Sequence, residues 1–214
     1  MNMDIASIRK DYKLKSLSEN EVDASPIEQF ASWFKEAISA KVEEVNAMLL
    51  GTSTLQGKPS SRVVLLKDFD HRGLVFFTNY ESKKGKELSE NPAACLTFFW
   101  PQLERQIRIE GLVEKVSESE SDEYFFSRPW ESRVGAWVSA QSNKIESRDE
   151  LEKTYEVLAQ DFREKGMVPR PSHWGGFRLK PEFFEFWQGR PSRLHDRICY
   201  IPKGAAWEIY RLAP

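Results

Sequence analysis

The chain has 214 residues, and its 31 Lys and Arg stand against 33 Asp and Glu for a formal net charge of −2. That near-balance supplies no overall basic field for a nucleic-acid backbone and excludes general nucleic-acid binding. Hydrophobic residues make up 40% and aromatics 13%, enough to bury a real core, so a disordered chain is excluded as well.

Residues 1–24 are polar and mixed in charge. They predict an N-terminal arm, partly mobile, with a short helical turn around Ile5–Tyr12. Residues 25–214 are expected to form a single domain. Ser25-Pro26-Ile27-Glu28 predicts a helix start, with Ser at the N-cap, Pro at the first position and Glu placed for a capping box. Ile27, Phe30, Phe34, Ala37, Ile38 and Val45 follow at helical spacing. Ala47–Thr54 and Ser60–Lys67 read as strands joined through Gln56-Gly57-Lys58-Pro59. A second turn, Asp70-His71-Arg72-Gly73, leads to a strand over Leu74–Thr78. Ser82–Ser89 is a short helix ended by Asn91-Pro92. Ala93–Trp100 is an apolar strand, and Glu104–Val116 alternates in its middle, with Gly111 marking a bulge. Helices are predicted over Ser117–Ser127 and Trp130–Ala140, separated at Pro129. A further amphipathic helix, Ser147–Lys165, is capped by Ser147 with Glu150. Strands over Gly176–Leu179, Phe183–Gln188, Ile198–Ile201 and Trp207–Leu212 complete the chain.

No strand–helix–strand alternation recurs, and neither GxGxxG nor GxxxxGK[ST] occurs, so a doubly wound nucleotide fold is disfavoured. Hairpin-linked strands with inserted helices predict an α+β domain built on an antiparallel barrel or sheet. Cys95 and Cys199 form no CxxC pair; two reduced thiols are expected, with no metal. No apolar run is long enough to span a bilayer, and Met1 to Lys15 has no apolar core of signal-peptide length. A cytoplasmic protein with no membrane partner is the expectation.

Several clusters carry chemistry. Phe186 to Arg197 sets a Trp, three Arg, a His and an Asp around a Gly/Pro break, a grip suited to a planar anion or, on the plainer reading, a charged hairpin loop. Arg62 and Lys67 fall on opposite faces of one strand unless it twists or bends. Thr78, Ser82, Lys83 and Lys84 surround a helix start that would cradle a phosphate or would equally be a capped surface helix. Gln106 offers amide donors and an acceptor to a heterocycle edge, or is an exposed strand residue. Tyr124 and Arg128 share a helix face beside Ser132, a phosphate clamp or a common surface pair. Gln141-Ser142 is a polar pair in a loop. No Ser/His/Asp nucleophile arrangement or HExxH accompanies these residues, which points to chemistry carried by a bound cofactor.

Taken together, Arg62-Val63-Val64-Leu65-Leu66-Lys67, Phe77-Thr78-Asn79, Glu104-Arg105-Gln106, Phe126-Ser127-Arg128-Pro129, Gly135-Ala136-Trp137-Val138-Ser139, Gln141-Ser142, Trp174-Gly175-Gly176-Phe177, Phe186-Trp187-Gln188-Gly189, Arg193-Leu194-His195-Asp196-Arg197 and Arg211-Leu212-Ala213-Pro214 resemble the pyridoxamine 5'-phosphate oxidase family. The resemblance runs in the family's order from about Ile8 onward. It implies an FMN-binding antiparallel split β-barrel with surrounding helices, a C-terminal dimerisation region, and a homodimer with shared active sites. The implied reaction is oxidation of pyridoxamine 5'-phosphate or pyridoxine 5'-phosphate to pyridoxal 5'-phosphate, with O2 as acceptor, H2O2 as product and ammonia released from the amine. It assigns FMN to Arg62, Val63, Val64, Leu65, Leu66, Lys67, Phe77, Thr78, Ser82, Lys83, Lys84, Gln106, Gln141, Ser142, Trp187 and Arg197. It assigns the substrate to Arg9, Tyr12, Lys67, Tyr124, Arg128, Ser132, Arg193, Leu194 and His195, with Arg193 and His195 closest to the chemistry. Two positions depart from the pattern: Phe77 stands where Tyr is expected, and Lys83 where Arg is common, a point charge in place of a fork.

Overall fold

Turn and cap chemistry decides where most elements begin. The computed structural model describes Asp4 and residues 11–214. Helix α1, Pro26–Ser39, starts where the Ser25 side chain accepts from the Glu28 N–H with Pro26 in the first turn. The hairpin of β1, Ala47–Ser53, and β2, Pro59–Leu65, closes on a Gly57 N–H to Thr54 carbonyl bond of 2.9 Å, with Gly57 at φ 76°. That left-handed value is why glycine stands there. Next come β3, Asp68–Asp70, β4, Gly73–Asn79, helix α2, Lys83–Glu90, β5, Ala93–Trp100, and β6, Arg105–Lys115. Helix α3, Glu118–Ser127, carries a full capping box between Ser117 and Glu120. Helix α4 spans Trp130–Val138 and helix α5 Arg148–Lys165; α5 is capped by Ser147 and ends on Gly166 in the left-handed region. Strand β7, Trp174–Gln188, a 3-10 turn over Pro191–Arg193, β8, Asp196–Lys203, and β9, Ala206–Arg211, complete the described chain.

The strands form a nine-stranded sheet of order β2-β1-β5-β6-β7-β4-β3, with β8 pairing β7 and β9. The registers of β3 with β4, β4 with β7, β7 with β8 and β8 with β9 are all antiparallel. Contacts divide the chain into two compact units. One holds the residues up to Leu49 with Cys95–Glu110 and Pro181–Pro214. Its core is aromatic: Phe30 packs on Phe98 at 5.2 Å, Trp33 meets Phe186 edge-on at 5.2 Å, and Phe186 meets Tyr200 at 5.6 Å. The other holds Leu50–Ala94 and Gly111–Lys180. Its helical core joins Phe125, Val134, Ala159, Phe162, Val168 and Trp174.

Four expectations are corrected. The buried stripe of α1 runs through Pro26, Gln29, Phe30, Trp33 and Ala37, while Ile38 is 55% exposed. Trp33 has the larger surface to bury, and the helix turns to bury it. Gly176–Leu179 and Phe183–Gln188 are one strand. Pro181 falls in the interval 180–183, between the residues that pair with β4 and those that pair with β8, so on that side of β7 its missing N–H costs no rung. The alternation of β6 keeps its phase through Gly111, with Ile107, Ile109, Gly111 and Val113 all buried, where a bulge would have shifted it. The turn at Asp70 is preceded by the short strand β3. The helical turn expected around Ile5–Tyr12 lies almost wholly outside the described residues. Cys95 is half-buried and Cys199 buried, and neither is bridged. Among the described residues no helix is long and apolar enough to cross a membrane.

Candidate active site

The second unit contains a cavity of about 850 Å³, within the range of ~300–1,000 Å³ common for small-molecule sites. Its walls come from β2, the end of β4, the start of α2, the α3–α4 corner and the loop after α4. Five cations line it, Arg62, Lys67, Lys83, Lys84 and Arg128, and among the described residues no carboxylate does. Such a wall favours an anionic ligand.

The β2 end shows how the chain brings Arg62 and Lys67 to one cavity. The strand stops at Leu65, Leu66 turns into the core at 4% exposure, and Lys67 lies beyond the pleat that would have sent it to the opposite face. Arg62 Nη1 donates to Thr52 Oγ1 at 2.5 Å and Nη2 to Ser60 Oγ at 2.6 Å. The buried Glu87 faces Arg62 Nη2 at 3.2 Å.

At the start of α2, Ser82 is the N-cap: its Oγ accepts from the Gly85 N–H at 3.2 Å and donates to the Asn79 carbonyl at 2.7 Å. No acidic residue sits in that first turn, where the helix dipole would favour one; Lys83 and Lys84 stand there instead. Lys84 Nζ donates to Thr78 Oγ1 at 3.1 Å and Gln141 Oε1 at 3.0 Å. Burial, then the charge of Arg62, pulls the Lys84 pKa below its ordinary value. A phosphate at this helix start would relieve both effects. Close packing fixes the approach: a Cβ on Gly85 would lie 2.1 Å from the Tyr80 carbonyl oxygen.

The α3–α4 corner supplies the second group of cations. Phe77 and Tyr124 stack at 4.0 Å with Trp174 against Phe77 at 5.5 Å, an aromatic column along the wall. Lys67 Nζ lies 5.8 Å from the Tyr124 ring centre, and Arg128 lies 4.6 Å from that of Trp174. Arg128 Nη1 is buried without a hydrogen-bond partner, and desolvation holds its pKa below the usual arginine value. An unsatisfied buried donor beside a cavity calls for a partner, which a ligand atom or a water would supply. Ser132, one turn into α4, lines the same wall.

Of the residues singled out from sequence, this cavity gathers Arg62, Val63, Val64, Leu65, Lys67, Phe77, Thr78, Lys83, Lys84, Tyr124, Arg128, Ser132, Gln141 and Ser142. Leu66 and Ser82 stand behind the wall, one in the core and one as the helix cap. Gln106, Tyr12, Trp187, Arg193, Leu194, His195 and Arg197 belong to the other unit, and Arg9 lies outside the described residues. The lining also includes Ser60, Ser61, Asn79, Gly135, Ala136, Ser139 and Trp174, whose small or mixed character gave no separate signal.

In the first unit the segment after β7 is tightly built. The rings of Trp187 and His195 lie 4.6 Å apart, and Tyr12 meets both edge-on at 5.6 and 5.7 Å. A Cβ on Gly189 would meet the Tyr12 ring at 2.7 Å, which is why that residue is glycine. His195 Nδ1 accepts the Arg190 N–H at 3.1 Å, so the neutral ring carries its proton on Nε2. Burial, then the charge of Arg193, lowers the His195 pKa against the opposing pull of Asp196. Arg193 is exposed and, with Ser192, holds a left-handed backbone at φ 62° and 57°. Arg197 is committed within the fold: Nε and Nη2 donate to both oxygens of the buried Glu185 at 2.8 and 3.0 Å, and Nη1 to the Ala213 carbonyl.

An α+β split barrel with a cation-lined cavity defines a class of proteins with room for an anionic small molecule. Residues 34–160 match the family model described as pyridoxamine 5'-phosphate oxidase, and residues 174–214 the model of the pyridoxine 5'-phosphate oxidase C-terminal dimerisation region. Proteins named pyridoxine/pyridoxamine 5'-phosphate oxidase are 55% identical in a Cyanothece species and 58% identical in Trichormus variabilis, each over the full length of both chains. The crystal structure of PhzG from Burkholderia lata, in complex with tetrahydrophenazine-1-carboxylic acid, superposes with a TM-score of 0.88 at 32% identity over 94% of this chain and 99% of its own. A related FMN-binding protein from Nostoc punctiforme shares the fold, with a TM-score of 0.70 at 15% identity over 90% of this chain and 100% of its own. The chain belongs to the pyridoxamine 5'-phosphate oxidase family and is an oxidoreductase of that kind.

Proposed function

We propose that the protein oxidises pyridoxine 5'-phosphate and pyridoxamine 5'-phosphate to pyridoxal 5'-phosphate, using bound FMN and O2. The alcohol plus O2 gives the aldehyde and H2O2; the amine also consumes water and releases ammonia. The observation that carries this reading is the cavity wall of five cations with no carboxylate, together with the buried, unpartnered Nη1 of Arg128. Membership of the family supports reading the wall as the seat of two phosphorylated ligands.

The residues fit both. Arg62, Lys83 and Lys84, with Thr78, Ser82 and the N–H groups at the start of α2, would hold the FMN phosphate. Val63, Val64, Leu65, Phe77, Gln141 and Ser142 would border the rest of the cofactor from the same cavity, with Leu66 behind them, and Gln106 is a further proposed flavin contact. When bound, FMN supplies the two-electron acceptor that no side chain here provides. Lys67, Tyr124, Arg128 and Ser132 would clamp the substrate phosphate and fix its ring by one rigid end. Because residues 174–214 match the dimerisation region, the partner subunit's Trp187 and Arg197 would complete the cofactor site and the partner subunit's Arg193, Leu194 and His195 the substrate site. Tyr12, in ring contact with Trp187 and His195 of its own chain, would go with them to the shared site and cover the substrate there, together with Arg9. Arg193 would favour an electron-rich substrate ring, and neutral His195 would offer Nε2–H to its edge.

The test is aerobic turnover. Purified protein supplied with FMN should form H2O2 and pyridoxal 5'-phosphate in equal amounts from pyridoxine 5'-phosphate, and far more slowly from unphosphorylated pyridoxine. Bound FMN without turnover would make the protein a flavin carrier. Turnover of tetrahydrophenazine-1-carboxylic acid but not of the B6 phosphates would assign the clamp to a carboxylate.

A further inference from the structure

Behind Arg62 lies a carboxylate that the proposed chemistry does not use. Glu87 sits on α2, is 5% exposed, and turns one oxygen toward β1 and β2. That oxygen, Oε2, accepts from Thr52 Oγ1 at 2.5 Å and Ser60 Oγ at 2.6 Å and faces Arg62 Nη2 at 3.2 Å. The same two hydroxyls accept from the arginine, Thr52 from Nη1 and Ser60 from Nη2. Each hydroxyl therefore accepts a hydrogen bond from the guanidinium and donates one to the carboxylate. The result is a planar fork bound to a carboxylate through two hydroxyls, with a direct contact beside them. The other oxygen, Oε1, faces Lys83 Nζ at 3.8 Å.

The arrangement does more than neutralise a charge. An arginine side chain has several rotatable bonds, and a free one loses that freedom when it meets an anion. Here both Nη atoms are held from behind before any ligand arrives. Burial pushes the Glu87 pKa upward, yet the hydrogen bonds from Ser60, Thr52 and Arg62 outweigh it, and the net shift is downward. The carboxylate thus stays ionised at neutral pH, as an anchor must. It also ties the start of α2, which carries Lys83 and Lys84, to the strand that carries Arg62.

We infer that Glu87 is a positioning residue that sets the Arg62 fork, through Thr52 and Ser60, for the phosphate of the cofactor. The inference rests on the reading of this cavity as an FMN site. It predicts a phosphate-specific effect: FMN carries that phosphate and riboflavin does not, while the two share the ring.

The experiment measures FMN and riboflavin binding to the apoprotein by quenching of flavin fluorescence. Glu87→Ala should weaken FMN about tenfold or more, the scale of losing hydrogen bonds to a charged group, and leave riboflavin affinity within about twofold. Glu87→Gln, which keeps an acceptor oxygen, should recover most of the loss. In an Arg62→Ala background, Glu87→Ala should cost FMN nothing further, because its effect passes through that arginine. Ser60→Ala, a milder cut in the same relay, should lower the FMN-to-riboflavin preference by about threefold, and it decides the matter should the Glu87 variant fail to fold. Equal losses for FMN and riboflavin would make Glu87 merely structural and overturn the inference. So would unchanged FMN affinity, or tighter FMN binding in Glu87→Ala, which would make the carboxylate a repulsive neighbour. Failure of the wild-type protein to bind FMN would overturn the cofactor reading itself, an outcome distinct from those.

Discussion

Replacing Arg128 by Met separates what this side chain does for a ligand from what it costs the fold. Its guanidinium is desolvated, its Nη1 has no hydrogen-bond partner, and its compensation is the face of Trp174 at 4.6 Å and of Phe125 at 5.6 Å. A buried donor left unsatisfied costs about 1–3 kcal/mol. The two ring contacts return about 0.5–2 kcal/mol each. Met keeps the aliphatic bulk against the same rings. The unliganded variant should therefore lie within about 2 kcal/mol of the wild type, a few degrees in Tm for a chain of this size. Substrate binding should move much further. Removing one partner of a desolvated charge pair costs about 2–5 kcal/mol, roughly thirtyfold to several thousandfold in affinity. The assay compares KM for pyridoxine 5'-phosphate with KM for pyridoxine, alongside a thermal melt of the apoprotein. A variant that kept its preference for the phosphorylated substrate would refute the clamp. A collapse of stability by more than about 4 kcal/mol would show that Arg128 is a structural cation and that its bare Nη1 does not mark a ligand site.

Other outcomes follow from the same geometry. Gly85→Ala forces a Cβ toward the Tyr80 carbonyl, so the cap of α2 must shift; a loss of about 1–3 kcal/mol in denaturant unfolding together with weakened FMN binding is expected, and unchanged values would mean that the helix start is not the phosphate seat. For His195, lowered in the fold, the unfolded chain binds the proton more readily. Its contribution to stability is therefore intact above the unfolded value of about 6.5 and declines as pH falls through it toward the folded pKa. Proton NMR, assigned with a His195→Gln variant, should give a titration midpoint below that of a free histidine; a midpoint at or above it would mean that Arg193 and burial do not govern the ring.

Local chemistry was legible where one residue decides an element. Ser82, Ser117 and Ser147 mark helix starts by their own hydroxyls, and Gly57 marks a hairpin by its φ. The cavity could not be read from any one segment, since Arg62, Lys84 and Arg128 come from separate elements and each has a plain surface reading alone. The motifs supplied that grouping through likeness to a family, not through spacing. Lys67 looked misplaced on its strand because nothing local says that the strand stops at Leu65. Glu87 was invisible for a different reason: four residues after Lys83 it resembles one half of an exposed helix pair, and only packing against β1 and β2 buries it. The split between Leu179 and Phe183 erred in the other direction: β7 runs on through Pro181, and a proline breaks a strand only where its N–H is needed.

The left-handed pair Ser192 and Arg193 has a consequence for anyone evolving this protein. Such a backbone costs a residue with a Cβ on the order of 1–3 kcal/mol, and glycine would adopt it freely. A screen that rewards heat resistance alone would drift toward glycine at both positions. At 192 that drift removes only a small exposed hydroxyl. At 193 it discards the guanidinium proposed to sit over the reacting ring, and the survivors would be sturdy and idle. Laboratory selection on this scaffold should therefore leave 192 open and hold 193 fixed, because at adjacent residues robustness and turnover ask for different amino acids.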